Sequence, residues 1–181
     1  VQRTSTIASV NHKSGRTGDL LFVGVQHQIS NPQGVGLTEE HDIVYRAAAQ
    51  AGDPTPPPTA AETGAAWQRE IRPDDVLLFR YSALTFNGHR IHYDRRYVTE
   101  VEGYPGLIVH GPLIATLLMD LLRRHAGDAR VSRFEFKAVR PTFDLHPFRL
   151  NGQPSVDGKT VRLWAQDHEG WLTMQASATL S

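Results

Sequence analysis

The chain has 181 residues, of which 40% are hydrophobic, and its 19 basic residues balance its 19 acidic residues. This balance leaves no global positive field that would attract nucleic acid or an acidic membrane, and the hydrophobic content is typical of a folded globular protein. Because the sequence contains no cysteine, disulfides, a thiolate nucleophile and a Cys-ligated zinc site are excluded.

The first part of the chain predicts β structure. Its apolar residues alternate between turn sequences rich in Gly, Ser, Asn and Pro. The predicted strands are three in number and antiparallel, at residues 4–10, 20–29 and 37–45. Residues 51–66 contain the run Asp53-Pro-Thr-Pro-Pro-Pro58 and predict a linker of extended polyproline character.

Beyond this linker the pattern changes. Alternating apolar residues over 76–86 predict a strand, residues 87–108 predict a long loop, and residues 113–124 predict a helix. Four further strands are predicted at residues 131–139, 147–151, 160–167 and 171–180. The longest apolar run, 113–122, is far shorter than the roughly 20 residues that cross a bilayer.

The predicted helix determines the expected architecture. Its polar residues form one narrow stripe, made of Thr116, Asp120, Arg123 and Arg124. A helix that is apolar over most of its circumference has to be wrapped by other elements. One strand before it and four after it would supply a curved antiparallel sheet, so we predict an α+β hotdog fold with this helix at its centre.

A weak internal repeat extends this prediction. The hairpin pattern of residues 15–45 resembles that of residues 157–180. We therefore expect a double hotdog with a partial N-terminal half at residues 1–50, whose central helix is missing, the linker at 51–66 and a complete C-terminal hotdog at 67–181. Because the chain begins at Val1, we also expect it to be a fragment of a longer protein.

Two histidines in the predicted loop are candidates for acid–base chemistry. An imidazole titrates near neutral pH, so His92 is the leading candidate to remove or deliver a proton, with a structural histidine as the alternative. Asn87 offers an amide that could hold a water molecule or orient the imidazole. The pair Asn87-Gly88 is equally typical of a simple turn.

The sequence His110-Gly111-Pro112 predicts the start of the helix. Gly is expected near the N-cap and Pro in the first turn. Because Pro112 lacks an N–H, the backbone N–H of Gly111 is the donor best placed to polarise a thioester carbonyl. A purely capping role would explain the same residues.

A metal site is not predicted. His89 and His92 are close in sequence, but no cysteine, no HExxH motif and no obvious third ligand accompany them. Arg90 lies between them and could pair with a substrate carboxylate or a CoA phosphate. A solvated arginine is the alternative for this position.

Residues 79–94 and 102–113 resemble the MaoC-like hydratases and dehydratases, hotdog proteins that act on acyl thioesters. The resemblance is greatest to the branch that contains hydroxyacyl-thioester dehydratase type 2 and mesaconyl-C4-CoA hydratase, and it includes residues 38–46. Members of this branch are usually longer at the N-terminus by about one helix-bearing half.

The resemblance also implies roles for individual residues. The wider family has an Asp-x-Asn-Pro-x-His pattern, whose Asp position is Asn87 here and whose His is His92. With no carboxylate at the first position, His92 would be the main acid and base, Asn87 would orient water, and the N–H of Gly111 would stabilise an enolate. The expected substrate-binding residues are His89, Arg90, His110 and Tyr104.

The resemblance therefore implies a hydro-lyase that adds water reversibly to a 2-enoyl-CoA. The expected substrate is mesaconyl-C4-CoA (3-methylfumaryl-CoA) or a similar dicarboxylic acyl-CoA such as itaconyl-CoA. The alternatives are a 3-hydroxyacyl-thioester dehydratase of fatty-acid metabolism and a non-catalytic subunit that binds acyl thioesters. A thioesterase is the third choice, disfavoured because hotdog thioesterases generally use a carboxylate near the central helix and Asp120 lies well into the predicted helix.

The remaining expectations concern the protein's surroundings. The reaction needs no metal or redox cofactor, since the CoA thioester is itself the substrate, and neither nucleic acid nor membrane is expected as a partner. We expect a homodimer or a pseudo-dimer of tandem hotdogs, cytoplasmic in bacteria and mitochondrial in a eukaryote. The sequence leaves open the acyl group, the stereochemistry and the choice between CoA and acyl carrier protein.

Overall fold

The computed structural model describes residues 1–15, 18–47 and 56–181. The chain divides into two compact units, Val1–Thr55 and Pro56–Ser181. The predicted linker at 51–66 lies partly outside the described residues, as do residues 16 and 17 of the first predicted turn. The assignment of a partial hotdog, a linker and a complete hotdog stays a prediction.

The first unit contains an antiparallel sheet. Its strands are β1 (Gln2–Gly15), β2 (Gly18–Asn31) and β3 (Gly34–Arg46), in the spatial order β1-β2-β3. The structure confirms the three predicted strands and extends each of them. The central strand β2 carries most of the half-buried residues, whereas β1 and β3 are largely exposed.

The second unit consists of one antiparallel sheet and its helices. The helices are α1 (Asp75–Thr85), α2 (Arg95–Glu100) and α3 (Gly111–His125), with a 3₁₀ turn at Arg90–His92. The strands are β4 (Trp67–Ile71), β5 (Val131–Ala138), β6 (Phe148–Pro154), β7 (Thr160–Gln166) and β8 (Leu172–Leu180). The sheet order is β4-β6-β7-β8-β5, and every neighbouring pair is antiparallel.

Helix α3 lies across the sheet, in contact with β4, β6, β7 and β8. It buries one side of its surface against the core, and these buried residues are Leu113, Ile114, Ala115, Leu118, Leu121 and Leu122. Leu117 and Met119, on another side, are only partly buried. The structure therefore has the predicted central helix against a sheet, although this unit does not enclose the whole helix.

The predicted strand at residues 76–86 is wrong, because this segment is helix α1. Its N-cap, Asp74, accepts a hydrogen bond from the backbone N–H of Leu77 at 2.7 Å, and Asp75 adds a favourable negative charge to the first turn. Leu78 and Ser82, four residues apart, are the buried positions of the helix. A helical spacing thus explains the apolar pattern that was interpreted as alternation.

The strand that precedes the central helix is instead β4, which the sequence analysis did not predict. It pairs with β6, with Trp67 opposite Gly152 and Ile71 opposite Phe148. Among the described residues, no helix is long and apolar enough to cross a membrane.

Candidate active site

Two segments meet at the backbone of Ile108. Its N–H donates to the carbonyl oxygen of Ile91 at 3.0 Å. Its carbonyl oxygen accepts a hydrogen bond from Nδ1 of His92 at 2.7 Å. One peptide on the approach to α3 therefore fixes both the 3₁₀ turn and the ring of the histidine within it.

The residues just before α3 are also hydrogen-bonded to the connection between β5 and β6. The N–H of Leu107 donates to Oδ1 of Asp144 at 2.9 Å. The N–H of Val109 donates to the carbonyl of Thr142 at 2.8 Å. These bonds leave little freedom for the residues that start the helix.

His92 is a buried histidine with one ring nitrogen available for chemistry. It is 8% exposed, and because Nδ1 donates to Ile108, the unprotonated nitrogen of the neutral ring is Nε2. Burial lowers the pKa of His92, and the neighbouring His89 lowers it further, while the bond to Ile108 opposes both effects. A neutral imidazole with a free Nε2 is the form needed by a general base.

The ring of His110 stacks on that of His92. The ring centroids are 3.8 Å apart and the planes differ by 19°. Nε2 of His110 lies 2.8 Å from Oγ of Ser82, and the residue is 1% exposed. Burial and the proximity of His92 lower the pKa of His110 to about 4, so this ring is also neutral near pH 7.

Gly111 follows His110 directly and is the first residue of α3, with Pro112 second. The first N–H groups of a helix have no acceptor within it, and the helix dipole places partial positive charge there. Gly111 also lines a cavity of about 330 Å³. A thioester carbonyl in this cavity could therefore accept the N–H of Gly111, the residue that follows His110.

Asn87 has a defined structural role. Its Oδ1 accepts the N–H of His89 at 3.0 Å, and its own N–H donates to the carbonyl of Ser82 at 2.9 Å. This is the turn role that the sequence offered as the alternative. Within the described part of the chain no hydrogen bond joins Asn87 to His92, and its proposed work on water stays a prediction.

Two of the predicted substrate-binding residues, His89 and Tyr104, have aromatic rings as neighbours. His89 is exposed, and its ring is edge-on to that of His92 with centroids 5.7 Å apart. Tyr104 lies against Phe143, with ring centroids 6.1 Å apart. Their contacts with substrate stay predictions.

Arg90 is already engaged by its neighbours. Its Nε and Nη2 donate to Oδ2 of Asp94 at 3.0 and 2.8 Å, and its guanidinium lies 4.1 Å from the ring centroid of Tyr97. Binding a substrate carboxylate would require it to compete with Asp94. The role of Arg90 also stays a prediction.

Ser82 is a site residue that the sequence analysis missed. The segment was predicted as a strand, and only a helical spacing places Ser82 on the same buried face as Leu78. The signal that could have revealed it is Asp74 followed by Asp75, which is typical of a helix N-terminus. A buried hydroxyl then requires a hydrogen-bonding partner, which His110 provides.

No group of three or more His, Cys, Asp or Glu residues that could hold a metal ion occurs among the described residues. His89 and His92 are neighbours without a third ligand. The expectation that the reaction needs no metal or redox cofactor stays a prediction.

A central helix packed against an antiparallel sheet is the arrangement of a hotdog protein. The chain belongs to the hydroxyacyl-thioester dehydratase type 2 family, whose model matches residues 1–144. Across 182 residues it is 47% identical to mesaconyl-C(4)-CoA hydratase of Chloroflexus aurantiacus, an alignment that covers 99% of this chain and 63% of that protein. The chain thus spans less than two thirds of the length of this relative.

Solved structures confirm the hotdog fold. HtdX from Mycobacterium tuberculosis matches with a TM-score of 0.67 at 19% identity, over 97% of this chain and 67% of that chain. A MaoC-like dehydratase from Phytophthora capsici matches with a TM-score of 0.64 at 14% identity, over 99% of this chain and 61% of that chain.

Proposed function

We propose that the protein is an acyl-CoA hydratase that adds water reversibly to a 2-enoyl-CoA. The observation that carries this proposal is the position of His92, a buried neutral base whose stacking partner His110 directly precedes the N-terminus of α3. The proposed site thus combines a proton acceptor with a donor, the N–H of Gly111, for the oxygen that becomes negative.

In the proposed reaction Nε2 of His92 removes a proton from water as its oxygen bonds to C3 of the enoyl group. The electron pair of the double bond moves to the thioester oxygen, where the N–H of Gly111 and the helix dipole stabilise the enolate. His92 then returns its proton to C2. One water is added across the double bond, and the enzyme ends in its starting state.

The carbonyl of Ile108 has a second role in this scheme. While His92 carries the proton, Nδ1–H continues to donate to that carbonyl, which stabilises the charged ring. The family pattern has a carboxylate where this chain has Asn87. The Ile108 carbonyl therefore supplies the orientation of the imidazole, and Asn87 is left to position water.

The proposed substrate is mesaconyl-C4-CoA or a related dicarboxylic acyl-CoA. The name of the Chloroflexus relative supports this choice, since identity to it extends over almost the whole chain. A 3-hydroxyacyl-thioester dehydratase is the second candidate, favoured by the family name, and it would use the same residues in the reverse direction. The dimer or pseudo-dimer and the cellular compartment stay predictions.

A thioesterase receives little support from Asp120. Its Oδ2 accepts from Nη1 of Arg69 at 2.5 Å and from Nε of Arg124 at 2.8 Å. These two guanidinium groups, Arg124 first, lower the pKa of Asp120 and so weaken it as a base. A non-catalytic binding subunit would not require the free Nε2 of His92 or its orientation by Ile108.

The test is to incubate the purified protein with a panel of enoyl-CoAs that includes crotonyl-CoA and mesaconyl-C4-CoA. The conjugated-thioester absorbance and the release of free thiol are followed together. A hydratase removes the absorbance without releasing thiol, whereas a thioesterase releases thiol. Binding of the thioesters with neither change would instead identify a non-catalytic subunit.

A further inference from the structure

Three residues that line the cavity beside Gly111 each carry a buried polar atom without a hydrogen-bonding partner within the described residues. The atoms are Nη1 of Arg140, Oγ1 of Thr142 and Oγ1 of Thr173. Thr142 and Thr173 are only 3% and 1% exposed. Buried polar groups are nearly always paired, so three unpaired ones among the residues of a single cavity give it unused hydrogen-bonding capacity.

The backbone holds these three residues beside the start of α3. The N–H groups of Val139 and Arg140 donate to the carbonyl of Thr173 at 2.9 and 3.3 Å. The carbonyl of Thr142 accepts from the N–H of Val109, two residues before Gly111. The unpaired donors and the proposed thioester site therefore belong to one hydrogen-bonded framework.

The nearest carboxylate balances the charge of Arg140 without satisfying its donors. Oδ2 of Asp167 lies 3.6 Å from Nη1 of Arg140, which is beyond hydrogen-bond distance. Oδ1 of Asp167 instead accepts the N–H groups of Glu169 and Trp171 at 3.1 and 2.9 Å, which hold the following turn. Arg140 thus keeps donor capacity for another anion, whereas Arg90 uses two donors on Asp94.

We propose that Arg140, with Thr142 and Thr173, binds the free carboxylate of a dicarboxylic acyl group and so determines substrate specificity. This inference rests on the proposed hydratase function. A guanidinium and two hydroxyls can all donate, and a carboxylate can accept several hydrogen bonds. With the thioester oxygen at Gly111, an acyl chain that carries a carboxylate at its far end would be held at both ends within the same cavity.

The experiment compares mesaconyl-C4-CoA with its methyl ester, since the two acyl groups differ only in the charged end. Arg140→Gln should lower kcat/KM for the free acid by about 10- to 100-fold, the range for loss of a charge-assisted hydrogen bond, and for the ester by a much smaller factor. Arg140→Lys, which keeps the charge, should retain more activity on the free acid. Arg133→Gln, an exposed arginine paired with Glu135 on β5, is the matched control and should change neither rate.

A second set of variants keeps the proposal testable if Arg140→Gln does not fold. Thr142→Val and Thr173→Val preserve shape and remove one donor each, and both should reduce turnover of the free acid more than that of the ester. If water alone fills the site, these variants and Arg140→Gln affect both substrates equally, and the proposal is overturned. A selective loss in Arg90→Gln, with none in Arg140→Gln, would also overturn it.

The failure of this inference can be distinguished from failure of the proposed function. A wild-type protein that hydrates crotonyl-CoA and the ester but not the free acid remains a hydratase, and only the carboxylate site is refuted. A wild-type protein that hydrates none of the enoyl-CoAs refutes the proposed function and the inference together.

Discussion

The rings of His92 and His110 lie face to face with their centroids 3.8 Å apart, so they cannot both carry a charge without strong repulsion. Both residues are buried, and burial is the main cause that lowers the pKa of each. The two rings have different hydrogen-bonding partners. Nδ1 of His92 donates to the carbonyl oxygen of Ile108, whereas Nε2 of His110 is hydrogen-bonded to the hydroxyl of Ser82. The pair thus provides one oriented base supported by a second neutral ring.

The pH dependence of hydration should reflect this arrangement. Because His92 must be neutral to accept a proton, kcat/KM should fall as pH decreases through its pKa, which burial places below 6.5. The measurement is a pH profile of kcat/KM with crotonyl-CoA, whose acyl group carries no carboxylate to complicate the titration. An acidic limb centred above pH 6.5 would contradict the assignment of a buried neutral base.

The stability of the protein should also depend on pH through His110. In the unfolded chain this ring takes up a proton below about pH 6.5, whereas in the folded state it stays neutral down to a pKa of about 4. The unfolded state therefore binds more protons in this window, and the free energy of unfolding should fall by up to about 3 kcal/mol as pH decreases from 6.5 to 4.

Urea unfolding at a series of pH values tests this expectation. His110→Gln should flatten the pH dependence of unfolding over this window. His12→Gln, which removes an exposed histidine of β1 paired with Asp19, is the control and should leave the dependence in place. An unchanged slope in His110→Gln would show that His110 is not the group responsible.

Ser82→Ala tests the buried hydrogen bond to His110. The variant removes the hydroxyl that lies 2.8 Å from Nε2 and leaves both ring nitrogens of His110 without a protein partner, since Nδ1 has none within the described residues. We expect a loss of about 1–3 kcal/mol of stability, the usual result of an unsatisfied buried polar group. Ser132→Ala, at an exposed serine on β5, should have little effect, and equal losses in both variants would count against the role of Ser82.

The sequence was sufficient to predict the central helix and seven of the strands, because turn residues or a long apolar face mark each of them. It was not sufficient for α1, where an apolar pattern compatible with a strand outweighed the Asp74 cap, or for the five-residue strand β4. The predicted loop at 87–108 was also wrong in part, because it contains α2 and the 3₁₀ turn. His92 and Gly111 could be proposed because their chemistry is local. Ser82 and Arg140 could not, because their importance depends on contacts with residues far away in the sequence.

Two substitutions at Gly111 distinguish the role of its backbone N–H from the role of its small size. A Cβ at this position would lie 3.9 Å from Cε of Met174, an ordinary contact, so Gly111→Ala should fold and retain most activity. Proline suits the first position of a helix, and the ψ of 127° at His110 is compatible with a proline at the next residue. Gly111→Pro therefore fits the backbone but removes the N–H. We expect kcat to fall by about 10²–10³ in the Pro variant alone. Equal activity in the two folded variants would exclude the proposed oxyanion contact.

The most direct test of the account is the hydration rate of His92→Ala. With crotonyl-CoA, the conjugated-thioester absorbance should decay about 10²- to 10⁴-fold more slowly than with the wild-type protein, because the group that accepts and returns the proton is lost. His12→Ala serves as the control for a histidine removed elsewhere. A folded His92→Ala protein that hydrates crotonyl-CoA at the wild-type rate would contradict the central claim that this imidazole carries the reaction.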